Sequence, residues 1–324
     1  MVTGGCGFLG SHLVEHLVTR GDTVTVFDSI APGPDQVIAR DHARFVEGDI
    51  RDGDRLTETA AGADVVYHMA AVVGVDRYLA RPLDVIDINV LGTRAVLDAA
   101  LRAGARVVHA STSEVFGKNP AVPWRENDDR VLGPTTTDRW TYSSSKALIE
   151  HMVFAFARQY GLEAAVVRYF NVYGPRQRPA FLISRSVHRA LNGHPVPVYD
   201  QGGQTRCPTF VDDAVAGTVI AGDHVAAAGE IFNIGSMRET TVREVVDLVT
   251  ELAGGEGPRT VEVDTRAALG AHYEDLNRRV PDNTKARDVL GWVPTTDLAD
   301  GLARTVGWAR ANPWWLALPD SGAS

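Results

Sequence analysis

Short apolar runs alternate along the chain with longer stretches whose hydrophobic positions recur at helical spacing. Thr23–Phe27, Ala63–Tyr67, Arg106–Ala110 and Ala164–Arg168 are short runs rich in Val and Ala, the pattern of strands buried on both faces of a parallel sheet. Ser11–Arg20, Pro82–Ala103, Arg139–Tyr160 and Leu182–Gly193 carry the helical period. Strand and helix in alternation predict an α/β fold with a doubly wound parallel sheet. Beyond Val172 the elements shorten and gain Pro and Gly, at Gly174-Pro175, Gly193–Val198 and Asp200–Gln204. This predicts a smaller second lobe made of residues 172–211 and 236–315. The chain returns to the sheet between them through Asp212–Asp223 and Glu230–Gly235. The first domain is then 1–171 plus 212–235. Residues 316–324 form a tail, frayed from Pro319 onward.

Residues 3–12 read TGGCGFLGSH, with Gly4, Gly7 and Gly10 in G-x-x-G-x-x-G spacing at a strand-to-helix turn. Glycine lets backbone approach a pyrophosphate, and the helix that follows points its amide end at the charge. The context gives a common pattern its meaning. A helix follows, then the strand Thr23–Phe27, then Asp28, 18 residues past Gly10, where an acid can accept from adenosine ribose hydroxyls. No Arg follows directly to receive a 2′-phosphate, so NAD is expected rather than NADP. Asp49 and Ile50, after Phe45–Glu47, suit the adenine end. Only Met1 and Val2 precede Thr3, so the expectation is a stunted central strand, with weaker NAD retention, or a start lying upstream.

Composition narrows the partners. The formal charge is −9, from 32 basic and 41 acidic residues in 324, which argues against non-specific nucleic-acid binding. Cys6 and Cys207 are too few for a disulfide scaffold and lack zinc spacing; both are expected reduced and structural. The ten histidines form no ligand cluster, so no metal is expected. There is no apolar run of membrane length and no leader pattern, and the expected location is the cytoplasm.

Residues 142–146 read YSSSK. On a helix Tyr142 and Lys146 share a face. A free tyrosine titrates near about 10. A lysine ammonium and a positive nicotinamide ring both favour the phenolate, so Tyr142 can act as a base.

Together TGGCGFLGSH, HMAA (68–71), YSSSK, RYFNVYGPR (168–176), QTR (204–206), FVDD (210–213) and NIG (233–235) resemble the extended short-chain dehydrogenase/reductase family. The match spans roughly residues 1–310. It implies a Rossmann-type domain with a small C-terminal sugar-nucleotide lobe, and NAD held by Gly4, Gly7, Phe8, Leu9, Asp28, Asp49, Ile50, Ala70, Ala71, Asn89, Tyr142, Lys146 and Tyr169. It also implies a UDP-sugar substrate. A homodimer is implied as well, through a four-helix bundle built from the helical stretches Val90–Leu101 and Ala147–Ala157.

Reaction type is written after Arg106, where the strand ends in Ser111-Thr-Ser-Glu-Val-Phe-Gly117. Sugar 4,6-dehydratases of the family carry an Asp where this chain has Ser113, so the acid that protonates their leaving hydroxyl is missing. UDP-galactose-type 4-epimerases usually carry small residues where Glu114 stands. Thr112-Ser113-Glu114 is similar to UDP-glucuronate decarboxylases, which release UDP-xylose or a UDP-4-keto-pentose. YEDLNRRVP (273–281) resembles their R-x-P setting and aligns Arg279, with Arg278 beside it. The resemblance makes Thr112, Ser113, Glu114, Tyr142, Lys146 and Arg279 catalytic, and Tyr78, Asn171, Arg206, Tyr273 and Arg279 substrate-binding. Lys118, Arg176 and Arg178 are weaker phosphate candidates. The spacer Ser143–Ser145 departs from many UDP-xylose synthases, while Asp138–Lys146 is similar to the decarboxylases of aminoarabinose synthesis. QGGQ (201–204) and the short loop at Pro179–Phe181 depart from the usual pattern near the sugar lobe. The expected activity is a carboxy-lyase that oxidises C4 of UDP-glucuronate; the alternatives are a UDP-hexose 4-epimerase and, behind it, a 4,6-dehydratase.

Overall fold

The structure, a computed structural model, describes residues 1–74, 80–254, 259–264 and 276–320, with backbone alone at 37–39. The chain opens with β1 (Val2–Thr3), α1 (Phe8–Arg20), β2 (Thr25–Asp28), α2 (Val37–His42), β3 (Arg44–Glu47), α3 (Gly53–Ala60) and β4 (Val65–His68). It continues through α4 (Pro82–Ile86), α5 (Gly92–Ala103), β5 (Arg106–Thr112), α6 (Thr141–Tyr160) and β6 (Ala164–Tyr169). An excursion follows, with β7 (Val172–Tyr173), α7 (Leu182–Leu191), β8 (Val196–Tyr199), β9 (Thr205–Arg206) and β10 (Thr209–Phe210). The chain comes back through α8 (Val211–Asp223) to β11 (Ile231–Ile234).

Seven parallel strands lie in the order β11-β6-β5-β4-β1-β2-β3, the doubly wound arrangement expected. The order reverses at β1, which pairs with β2 on one side and β4 on the other. Ligands of such sheets sit at that reversal, outside the carboxyl ends of the strands. β1 is two residues long, Val2–Thr3. Flanking bonds extend its hold: the Met1 carbonyl accepts from Tyr67 N at 2.9 Å, and Gly4 N donates to the Phe27 carbonyl at 2.9 Å.

Each face of the sheet is covered because its helices are apolar on one side. Leu13, Val14 and Leu17 of α1 and Val215 and Val219 of α8 close one core. Leu56, Val96, Leu97, Ile149, Val153 and Phe156 from α3, α5 and α6 close the other. The stretch Pro82–Ala103 is not one regular helix as expected. A π-helical turn, Asp87–Leu91, joins α4 to α5. Such turns cluster at functional sites, and this one carries Asn89.

The excursion and the chain after β11 supply short pairings. β7 pairs with β10, β9 with β12 (Thr240–Thr241), and β8 with β13 (Thr260–Val263), around α9 (Val242–Ala253). Then come α10 (Thr284–Leu290), α11 (Leu298–Ala311) and α12 (Pro313–Leu316). The tail is pinned further than its composition suggests. Trp315 is buried and donates to the Gln177 carbonyl at 3.0 Å, and Asp320 pairs with Arg185 at 2.7 Å and with Arg189. The expected fraying is corrected as far as Asp320, which two arginines of α7 hold; residues 321–324 lie outside the described residues.

Candidate active site

The glycine turn forms the first wall. A Cβ at Gly10 would stand 2.0 Å from the Gly4 carbonyl oxygen, and one at Gly4, where φ is +68°, 2.6 Å from Ala70 Cα. The turn therefore closes only with glycine at both places. Gly7 N-caps α1 without a side-chain bond, and the first turn, which starts at Phe8 and Leu9, has no acid. The amide end is left for an anion, as a pyrophosphate site needs. Asp28, expected at the ribose end, accepts from Cys6 N at 2.9 Å and Ile30 N at 3.1 Å, so its carboxylate is oriented by the turn itself. Burial pushes its carboxyl up against the pull of the Cys6, Ile30 and Ser29 amides. These residues fit a dinucleotide.

The loop Met69–Ala71 caps this turn, with Ala70 N 3.4 Å from Thr3 Oγ1. Asn89 holds the next residue: its Oδ1 accepts from Val72 N at 2.8 Å, and its Nδ2 donates to the Val72 carbonyl at 3.3 Å. Both amide atoms thus fix the loop. Ile50 is buried, whereas Asp49 pairs with Arg51 at 2.6 Å. Tyr169 turns its hydroxyl to Thr218 Oγ1 at 2.7 Å, and its ring packs in the core on that face of the sheet. Cys6 is half-buried and Cys207 buried, both free; burial pushes each thiol up to about 12.

Tyr142 and Lys146 lie on the buried face of α6. Lys146 Nζ donates to the Ala110 carbonyl at 2.7 Å, which aims it at the end of β5. Burial lowers its pKa to about 8, with Glu150 opposing. The Tyr142 hydroxyl is bonded to the Thr112 side chain. Burial, then the Glu114 charge, push its pKa up, and Thr112 opposes. In the chain by itself burial outweighs the ammonium on which the sequence argument relies.

Thr112 ends β5, and its Oγ1 accepts from Glu114 N at 3.2 Å, so Thr112, buried Ser113 and Glu114 form one tight turn. Glu114 lies between two guanidiniums: Arg139 Nη1 is 2.7 Å from its Oε2, and Arg279 pairs with its Oε1. Burial raises the Glu114 pKa, but Arg279 and Arg139 overcome it and bring it to about 2. Arg139 was not among the expected residues. The signal was its place one helical turn before Tyr142, in the Asp138–Trp140 turn that leads into α6. The structure also separates the adjacent arginines. Arg279 points inward, while exposed Arg278 pairs with Glu239 at 2.7 Å.

Of the other expected substrate contacts, Tyr78 and Tyr273 lie outside the described residues. Arg206 is buried and donates from Nη1 to the Thr205 carbonyl at 2.7 Å and the Leu276 carbonyl at 2.9 Å, tying it to the segment before Arg279. Asn171 has φ +42°, left-handed for a side-chain residue, where β6 leaves the sheet. Arg176 pairs with Glu15 and Asp35, each at 2.7 Å, and so joins the lobe to α1 in place of a phosphate role. Arg178 Nη2 donates to the Val73 carbonyl at 3.1 Å, and Lys118 lies 5.4 Å over the Trp140 ring.

A doubly wound sheet, a glycine turn at its reversal point and a buried tyrosine–lysine pair beside it define the dinucleotide-dependent class of enzyme. The chain belongs to the NAD dependent epimerase/dehydratase family, whose model matches residues 1–235, and its cofactor is NAD. It is 38% identical over 315 residues to a UDP-N-acetyl-alpha-D-glucosaminuronate decarboxylase of Bacillus cytotoxicus, covering 96% of this chain and 97% of that one. It is 38% identical over 336 residues to a dTDP-glucose 4,6-dehydratase of Streptomyces griseus, covering 100% and 98%. Among solved structures it is similar to MoeE5 in complex with UDP-glucuronic acid and NAD, with TM-score 0.84, 32% identity and coverage of 96% and 98%. The chain is a nucleotide-sugar enzyme of the decarboxylase/dehydratase kind.

Proposed function

We propose that the protein is a UDP-glucuronate decarboxylase. The observation that carries the reading is Glu114 held between Arg139 and Arg279 beside the Tyr142–Thr112 pair. Two guanidiniums against one carboxylate leave one positive charge, which complements the C6 carboxylate of a uronate and not a neutral hexose. Ser113 supports the same choice, because the dehydratase reaction needs an acid there. Relatives that act on or bind uronates, the Bacillus decarboxylase and MoeE5, are in keeping with it.

NAD, when bound, supplies the hydride acceptor for C4 and a positive charge that favours the Tyr142 phenolate. Tyr142 takes the proton of the sugar 4-hydroxyl, with Thr112 bonded to the same oxygen. The C4 ketone then lies β to the C6 carboxylate. The C5–C6 bond breaks, CO2 leaves, and the electron pair passes from C5 onto the C4 oxygen as an enolate. Tyr142, now protonated, and Thr112 donate to that oxygen. Arg279 orients the carboxylate before it leaves. Held as a carboxylate, Glu114 accepts hydrogen bonds, so a water oriented by it gives a proton to C5, and bulk solvent returns a proton to the hydroxide left behind. Return of the hydride to C4 gives UDP-xylose; escape of the ketone gives UDP-4-keto-pentose. Incubation with UDP-glucuronate separates the readings. CO2 is expected; an isomer of unchanged mass would make the enzyme a 4-epimerase.

We also propose a homodimer. Leu83 of α4, Leu91 of the π turn and Leu148 of α6 are 70%, 57% and 53% exposed on neighbouring helices. Large aliphatic side chains left in water on two adjacent helices suit a helical interface.

A further inference from the structure

The buried face of α6 that carries Tyr142 and Lys146 runs on one more turn to Glu150. Glu150 is buried, and both its oxygens are taken. Oε1 accepts from Ser111 Oγ at 2.5 Å and Arg168 Nε at 2.8 Å, and Oε2 from Arg168 Nη2 at 2.6 Å. Ser111 adjoins Thr112 on β5. Arg168, on β6, lies 4.8 Å over the Phe116 ring and donates from Nη1 to the Glu126 carbonyl at 2.8 Å.

The run continues toward the other end of the site. Glu126 Oε1 accepts from Asn233 N at 2.8 Å. Asn233 Nδ2 donates to the Trp124 carbonyl at 2.9 Å and the Asp282 carbonyl at 3.2 Å. Trp124 N donates to the Val280 carbonyl at 2.9 Å, and Asp282 N to the Trp124 carbonyl at 2.8 Å. Val280 follows Arg279. A continuous set of buried bonds therefore links the helix of Tyr142 and Lys146 to the segment of Arg279.

Stability alone does not account for an ion pair here. A buried pair roughly breaks even against apolar residues of similar volume. Catalytic groups, in contrast, need placement within roughly 0.5 Å, and residues locked by buried bonds supply it. We propose that Glu150 and Arg168 are positioning residues that hold the Tyr142–Lys146 face of α6 and the Arg279 segment in one frame. The Arg279 half rests on the decarboxylase reading; the Tyr142–Lys146 half rests on family membership alone.

Glu150 has a second effect one turn from Lys146. Among the described residues, the titratable groups felt at this ammonium are Glu150 on α6, His68 on β4 and His109 on β5. Burial keeps both imidazoles neutral, at about 3 for His68 and well below the usual range for His109. Glu150 is thus the anion that opposes the burial of Lys146.

The test follows hydride transfer in the NAD-loaded enzyme by nicotinamide absorbance, across pH, with UDP-glucuronate, UDP-glucose and dTDP-glucose in parallel. Glu150→Gln is expected to slow the step by up to about 100-fold, with KM little changed and the alkaline limb of the profile moved to lower pH. Glu150→Asp should restore the limb toward the wild-type position. The apolar pair Glu150→Leu with Arg168→Met, which leaves Ser111 Oγ and the Glu126 carbonyl without these partners, should melt below the wild type yet stay folded at the assay temperature, and transfer hydride slowly. An unmoved limb in a folded Glu150→Gln enzyme, or full speed in the apolar double variant, overturns the proposal. CO2 is read in the same mixtures. Normal hydride transfer without CO2 in the wild type refutes the decarboxylase reading and leaves the Glu150 result standing.

Discussion

Glu114 shows how two neighbours decide what a carboxyl can do. Alone and buried it would hold its proton; between Arg139 and Arg279 its pKa falls from the ordinary 4.5 to about 2. A carboxyl whose folded pKa is depressed adds stability above its unfolded pKa and loses it as pH falls through the folded one. The melting-temperature gap between wild type and Glu114→Gln should therefore be full above about pH 4.5 and close toward pH 2, read by thermal unfolding. Arg139→Gln should remove the surplus positive charge and weaken UDP-glucuronate binding by about 10- to 100-fold. UDP-glucose binding should change far less, and calorimetry on the NAD-loaded enzyme measures both. At this scale the sequence is uneven. Helical spacing put Tyr142 and Lys146 on one face, while Thr112, Ser113 and Glu114 stood out only through the family resemblance; the structure brings the five side chains close together. The resemblance singled out Arg279 over Arg278, and the structure shows the physical difference: Arg279 pairs with Glu114 and exposed Arg278 with Glu239. Arg139 was passed over although its spacing sets it one turn before Tyr142, because spacing along one helix does not show that Glu114, from the end of β5, lies against it.

The elements were legible where hydrophobic period is strong. The sheet strands and the helices behind them came from runs of Val and Ala and from helical spacing. The π-helical turn at Asp87–Leu91 was not, because one extra residue per turn barely changes the spacing of apolar positions. The turn nonetheless places Asn89 against Val72. The joint between lobe and α1 was hidden too: Arg176 reads as a phosphate ligand until Glu15 and Asp35 stand beside it. Arg176→Gln should lower unfolding stability by on the order of 3 kcal/mol, because two largely buried carboxylates lose their partner; denaturant unfolding checks this. Gly10→Ala should be harsher. Its methyl would meet the Gly4 carbonyl oxygen at 2.0 Å, so the turn must open, and purified protein should carry little or no NAD by absorbance and mass.

At the scale of the molecule, the sheet reversal brings the glycine turn, β5 and β6 to one edge, and α6 delivers base and lysine to it. The neighbouring helices leave Leu83, Leu91 and Leu148 exposed. Sedimentation should find a dimer, and Leu148→Asp should shift it to monomer with the fold intact; a wild-type monomer at micromolar concentration would remove the proposed interface. Among the described residues no helix is long and apolar enough to cross a membrane. The central claim is that this edge removes the carboxylate of a uronate. The most direct measurement supplies UDP-glucuronate labelled at C6 to the NAD-loaded enzyme and counts label in gas and in nucleotide sugar, with Tyr142→Phe alongside. One labelled CO2 is expected for each sugar consumed, with an unlabelled UDP-pentose or its 4-ketone, and a rate lower by about 10²–10⁴ in the variant. Label retained in a UDP-sugar of unchanged mass would contradict it.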